Sequence, residues 1–219
     1  MSAGMFRAVA LAAAVAAGKS VLTSPTALAA AGTVVLALTG ATIGARRPAL
    51  TAGVRLGVAV AAPIAVGVAA STTLPPVRAG MAARELPADP LRWLVLRIPL
   101  ATVWAEEAAF RAGLGSVTAA AFGPRGGRLV QAIAFGLSHI GDARRTREPV
   151  GATVVATAAA GWVFDWLYRR SGSLVAPMLV HLAINEAGAV AALMVQRRPS
   201  RVDGRLADLA APHVLAENR

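Results

Sequence analysis

Long apolar runs, separated by short breaks rich in Arg, Pro and Gly, dominate this chain. A helix that crosses a bilayer needs about 20 mostly apolar residues. The pattern predicts an all-α, polytopic membrane helical bundle of about seven spans, within a range of six to eight. The first run is Ala8 to Leu22, interrupted by Lys19. The second is Ala27 to Ala45, closed by Arg46, Arg47 and Pro48, and the third is Leu56 to Leu74, closed by Pro75 and Pro76. A loop with Arg78, Arg84, Pro87 and Pro90 leads to the fourth, about Leu91 to Leu114. Gly123-Pro124-Arg125-Gly126-Gly127-Arg128 reads as a break. The fifth, about Leu129 to Ile140, is too short to cross about 30 Å alone. A polar loop from Asp142 to Pro149 precedes the sixth, Val150 to Tyr168, and Arg169-Arg170-Ser171-Gly172 turns the chain into the seventh, Leu174 to Val195.

This divides the chain into N-terminal helices without a recognisable motif (1–90), a core (91–195) and a charged tail (196–219). Arg7, the apolar run after it and Ala27-Leu28-Ala29 also resemble a cleavable signal peptide. The next apolar run follows at once, which favours a retained first helix. No repeat of 20–50 residues is evident.

Composition sharpens the class. Of 219 residues, 56% are hydrophobic and only 15% charged, against roughly 25% charged in a soluble domain. With no cysteine, a disulfide framework, a Cys-ligated zinc site and a thiol nucleophile are excluded. The net charge of +11 comes from Arg clusters between apolar runs, the pattern of membrane loops rather than of a nucleic-acid surface. Counting Arg by side, the loops before the fourth and sixth helices (side A) lean cytoplasmic over the opposite ends (side B).

Charged groups inside apolar helices carry the chemistry, because each costs about 2.5–3.5 kcal/mol at a helix centre. The fourth helix holds Glu106, Glu107 and Arg111. Glu107 and Arg111 are four apart and face each other as an ion pair. Glu106 points about 100° away and has no partner on its own helix. His139 ends the fifth run, and His181 and Asn185 share one face of the seventh, one turn apart. A Glu with two His supplies either general acid–base chemistry or a metal site, and two donors on one face can hold an oxyanion. The plainer alternative is a buried polar clamp between helices. Asp165, beside Trp162 and Trp166, reads as a boundary residue or a partner of Arg169; Glu186 pairs with an Arg or lines the cavity; His213 lies in the tail.

Glu106-Glu107-Ala108-Ala109-Phe110-Arg111 is EExxxR, Phe135 to His139 is FxxxH, and His181 to Asn185 is HxxxN. In this order, on separate apolar helices, they resemble the CPBP family of intramembrane proteases, which includes CAAX prenyl endopeptidases and bacteriocin-processing and Abi proteins. Tyr168 to Leu174, Pro177 and His181 resemble that family's last core segment, and the resemblance spans roughly Leu91 to Val195. It implies an intramembrane endopeptidase in which Glu106 and His139 activate a water. His181 and Asn185 form the oxyanion site, Glu107 and Arg111 support it, and Phe135 packs beside it.

The family has been described both as metal-free and as metallo-endopeptidases. Glu106, His139 and His181 form a plausible zinc set with an open position, in which case Glu107 is left as a substitute base. The metal-free form is the one preferred here. Expected partners are membrane lipid and a peptide or membrane-protein substrate, with or without a lipid anchor, but no nucleic acid. The Ala- and Arg-rich composition suggests a bacterial plasma membrane, where prenylated substrates are less expected. A non-catalytic binding or immunity protein, or a transporter, competes with the protease; three intact motifs favour the enzyme. Counting along the helices places Glu106 about 8 Å and His181 about 10 Å from side B. His139 comes out about 15 Å or more from that side, and the site opens towards side B.

Overall fold

In the computed structural model, residues 2–22 and 24–197 are described, and among them there is no strand. Each apolar run becomes a helix. α1 (Ala3–Val21) starts at Ser2, whose side chain accepts from the Met5 N–H. α2 (Pro25–Thr39) starts on Pro25 and stops at Gly40, which takes the left-handed conformation that glycine tolerates. α3 (Ala49–Ser71) follows, and then α4 (Pro75–Ala83), a short helix where the sequence predicts a loop.

The fourth predicted helix opens with one turn, α5 (Pro90–Arg92), and continues as two wide-turned π segments, Trp93–Trp104 and Glu107–Leu114. It does not end at Leu114. The chain continues helically as α6 (Gly115–Leu137), with a sharp kink at Gly123 (φ 74°, ψ 170°) in the predicted glycine-rich break. The fifth helix therefore begins at Pro124, earlier than the apolar run suggests. α7 (Ile140–Thr146) occupies the predicted Asp142 to Pro149 loop, and α8 (Val150–Ser171) and α9 (Val175–Arg197) complete the bundle. The tail from residue 198 onwards, His213 included, lies outside the described residues.

The burial pattern is that of a membrane protein. Leu38, Val66 and Val155 point out of the bundle and are exposed, while Glu106, Glu107, Arg111 and Asp165 are buried inside it. α3, α8 and α9 are each long and apolar enough to cross a bilayer. The protein is thus an all-α membrane helical bundle. Its central cluster includes Ala12, Phe110, Leu114, Phe135, Phe164, Leu167 and Val180, drawn from α1, the Glu107–Leu114 segment, α6, α8 and α9.

Small residues bring the backbones together. A Cβ on Gly32 of α2 would lie 2.6 Å from the Ala105 carbonyl oxygen, and one on Gly136 of α6 would lie 2.6 Å from that of Val154. Such close approach is how membrane helices gain dispersion energy without a hydrophobic drive between them.

Backbone contacts fix the two ends. Leu174 N–H donates to Ile43 O at 2.9 Å, so the α8–α9 turn and the α2–α3 loop share one end. At the other end Gln196, near the end of α9, donates to the carbonyls of Met81 and Arg84.

Candidate active site

Two buried charge clusters lie in the bundle. The first is structural. Asp165 is fully buried on α8 and accepts from Arg169 Nε at 2.7 Å and from Arg128 Nε at 2.9 Å. The Arg169 pairing follows from the i,i+4 spacing; Arg128, across on α6, does not. Arg128 also lies 5.1 Å from the ring of Trp162, which with Trp166 is exposed, as an interfacial aromatic would be.

The second cluster gathers the three motifs. Glu107 and Arg111 are both fully buried, with Arg111 Nη2 donating to Glu107 Oε1 at 3.0 Å. Arg111 Nε also lies 3.0 Å from Glu107 Oε2, a short ionic contact that is not aligned as a hydrogen bond. Arg111 is held further by Gln131 Oε1 at 3.3 Å and by the face of Phe135, whose centroid is 3.9 Å from the guanidinium carbon. Gln131 in turn donates to the Gly161 carbonyl at 2.9 Å, tying α6 to α8. The predicted ion pair is therefore present, built into a wider network.

Glu107 Oε1 also meets His181 Nδ1 at 2.8 Å. A carboxylate only accepts, so His181 carries a proton on Nδ1 and turns Nε2 towards Glu106. His139 is oriented by its own helix, with Nδ1 donating to the Phe135 carbonyl at 2.8 Å. That leaves Nε2 of neutral His139 as an acceptor. Both histidine Nε2 atoms stand 3.9 Å from Glu106 Oε2. Phe135 lies between the rings, edge-on to His139 at 4.7 Å and to His181 at 6.3 Å, while Phe164 stacks on His181 at 5.0 Å. Asn185 is half-buried one turn from His181, and its amide donates to the His181 carbonyl at 3.0 Å.

Glu106 has a partner after all, and it comes from another helix. Lys19, in the last turn of α1, places Nζ 2.7 Å from Glu106 Oε1. The same ammonium is 2.8 Å from His139 Nε2 and 3.1 Å from Asp142 Oδ2. Asp142 is also paired with Arg145. Spacing alone could not have found Lys19: it is 120 residues from His139 in sequence. The one available signal was a lone Lys inside an otherwise apolar run. Phe110, edge-on to Phe135 at 5.1 Å, and Phe164 were likewise not singled out. Glu186 has no Arg partner among the described residues, and its Oε1 is buried without a hydrogen bond.

The site's polar edge is on side A. Lys19 ends α1, and Asp142 belongs to the connection between α6 and α8. This reverses the expected opening towards side B. The helix count failed because the fourth helix runs on to Phe122, which places Glu106 near the middle of its span.

The zinc set fits poorly as folded. His139 has one in-plane lone pair, on Nε2, and the Lys19 ammonium already takes it. A dication held by Glu106 and His139 would also face that ammonium directly. In this arrangement, with Glu106 and His139 both held on Lys19, no three His, Asp or Glu side chains among the described residues are spaced to hold a metal ion.

Against known families, a model described as type II CAAX prenyl endopeptidase Rce1-like matches residues 88–187, a little under half of the chain. The matched segment contains all three motifs. No curated protein and no solved structure matches the chain. Residues 88–187 are therefore similar to the type II CAAX prenyl endopeptidase Rce1-like family, over the same stretch as the motifs.

Proposed function

We propose, from that family similarity and from the geometry around Glu106, that this chain is an intramembrane endopeptidase that hydrolyses a peptide bond with a Glu-activated water. One observation carries the reading. Glu106 Oε2 is buried, accepts no hydrogen bond from the protein, and faces two histidine Nε2 atoms at 3.9 Å each. A gap of 3.9 Å is too long for a direct hydrogen bond, yet one oxygen atom fits within about 2.8 Å of both ends.

In this scheme a water donates to Glu106 Oε2, and its oxygen attacks the carbonyl carbon of the scissile bond. The proton passes to Glu106 as the C–O bond forms, and then to the departing amine as the C–N bond breaks. His181 stabilises the oxyanion in this scheme. To donate there it takes a second proton, on Nε2, while its Nδ1–H stays on Glu107. Asn185 uses one amide N–H on the His181 carbonyl and has a second to offer. His139 holds its side of the site through the Phe135 carbonyl. Arg111 acts through Glu107 and touches no substrate.

The substrate in this reading is a peptide or membrane protein reached within the bilayer, and the setting is a bacterial plasma membrane. The test compares protein N- and C-termini in host membranes carrying wild type or Glu106→Ala at matched expression. Termini that appear only with the wild type establish proteolysis and name the substrate. Identical termini, with substrates well covered, overturn the enzyme in favour of a binding protein on the same scaffold.

A further inference from the structure

We propose that Lys19 is a positioning residue which supplies, from within the chain, the positive charge at which Glu106 and His139 converge, and that it thereby keeps divalent metal out of the site. An ammonium has three donors, and here three acceptors surround it: Glu106 Oε1 at 2.7 Å, His139 Nε2 at 2.8 Å and Asp142 Oδ2 at 3.1 Å. The side chain is only 17% exposed. It stands at a helix C-terminus, where a cation is favoured, and 6.0 Å from the Phe135 centroid.

Because Lys19 binds Oε1, the carboxylate is turned so that Oε2 is the oxygen facing the histidines. A divalent ion would need the His139 lone pair that Lys19 holds, and would need it beside a like charge. Asp142, on the exposed connection, anchors the ammonium from the other side, so that α1 and the α6–α8 connection are joined through one nitrogen. The positioning role rests on the endopeptidase reading; the exclusion of metal does not.

The experiment uses the purified full-length protein in lipid nanodiscs and titrates it with zinc by calorimetry. Wild type is expected to take up no stoichiometric zinc at micromolar concentration. Lys19→Ala should bind one zinc per chain, at least about 100-fold tighter than wild type. Adding His181→Ala to that variant should abolish the gain. Should Lys19→Ala fail to fold, Lys19→Met keeps the apolar stem and removes only the charge.

One zinc per wild-type chain, lost in His139→Ala, overturns the exclusion. So does a folded Lys19 variant that binds zinc no better than wild type. In host membranes, the wild-type termini should fall at least ~10-fold in Lys19→Met, with partial return in Lys19→Arg. Unchanged cleavage in Lys19→Met overturns the positioning role. If wild type itself generates no termini, the endopeptidase reading fails while the zinc result still decides the other half.

Discussion

Arg111 shows how one buried residue carries several obligations. It neutralises Glu107, engages Gln131 and lies on the face of Phe135, all without solvent. Arg111→Met would leave Glu107 buried with only the His181 N–H for a partner, at a cost of about 3–5 kcal/mol. A large fall in the detergent melting temperature is expected, with little recovery in Arg111→Lys, which lacks the planar fork. Glu106→Gln should behave differently. It keeps shape and some hydrogen bonding, so folding should largely survive while cleavage falls roughly 10²–10⁴-fold, read from the same termini. Equal loss of melting temperature in both variants would place Glu106 in the structural network instead. The Glu107–Arg111 pair was legible because a helix translates a spacing of four into contact. Lys19 was not: no local rule connects a lysine in the first apolar run to a glutamate in the fourth.

At the scale of elements, the apolar runs announced the long helices well, because hydrophobic length is a direct consequence of the bilayer. α4 and α7 were missed, since short helices among Arg and Pro carry no such signature. The π segments Trp93–Trp104 and Glu107–Leu114 were also invisible, because a change of hydrogen-bond step leaves composition unaltered. The glycine-rich break was read correctly, and its positive φ at Gly123 explains why glycine stands there. Helix contact supplies the prediction at this scale. Gly136→Leu forces a side chain against the Val154 carbonyl and the Ala158 methyl, parting α6 from α8. Overpacking of this kind costs about 1–3 kcal/mol or more, and a lowered melting temperature in detergent would register it. Gly151→Ala, which meets nothing within 4 Å, is the matched control and should leave stability nearly unchanged.

The whole molecule has two distinguishable ends. Side A carries the α6–α8 connection, with Arg144, Arg145 and Arg147, and side B carries the α8–α9 turn, with Arg169 and Arg170. The site's polar edge is on side A, the side that the Arg count reads as cytoplasmic. The native chain has no cysteine, so single replacements give a clean readout. In intact cells, Arg145→Cys should resist a membrane-impermeant maleimide and Arg170→Cys should react; the reverse pattern would invert the topology.

Lys19 lies on the first helix and His181 on the last, and both close on Glu106 between them. Translation delivers these helices in order, and the last follows the first by roughly 150 residues, on the order of ten seconds at ordinary elongation rates. From the synthesis of Glu106 until α9 emerges, the growing chain holds its carboxylate and its lysine but lacks the second imidazole. A ribosome stalled before α9 would leave the Lys19–Glu106 pair in the membrane without His181. On the endopeptidase reading proposed above, the hydrolytic hazard to neighbouring proteins is deferred until α9 has been made.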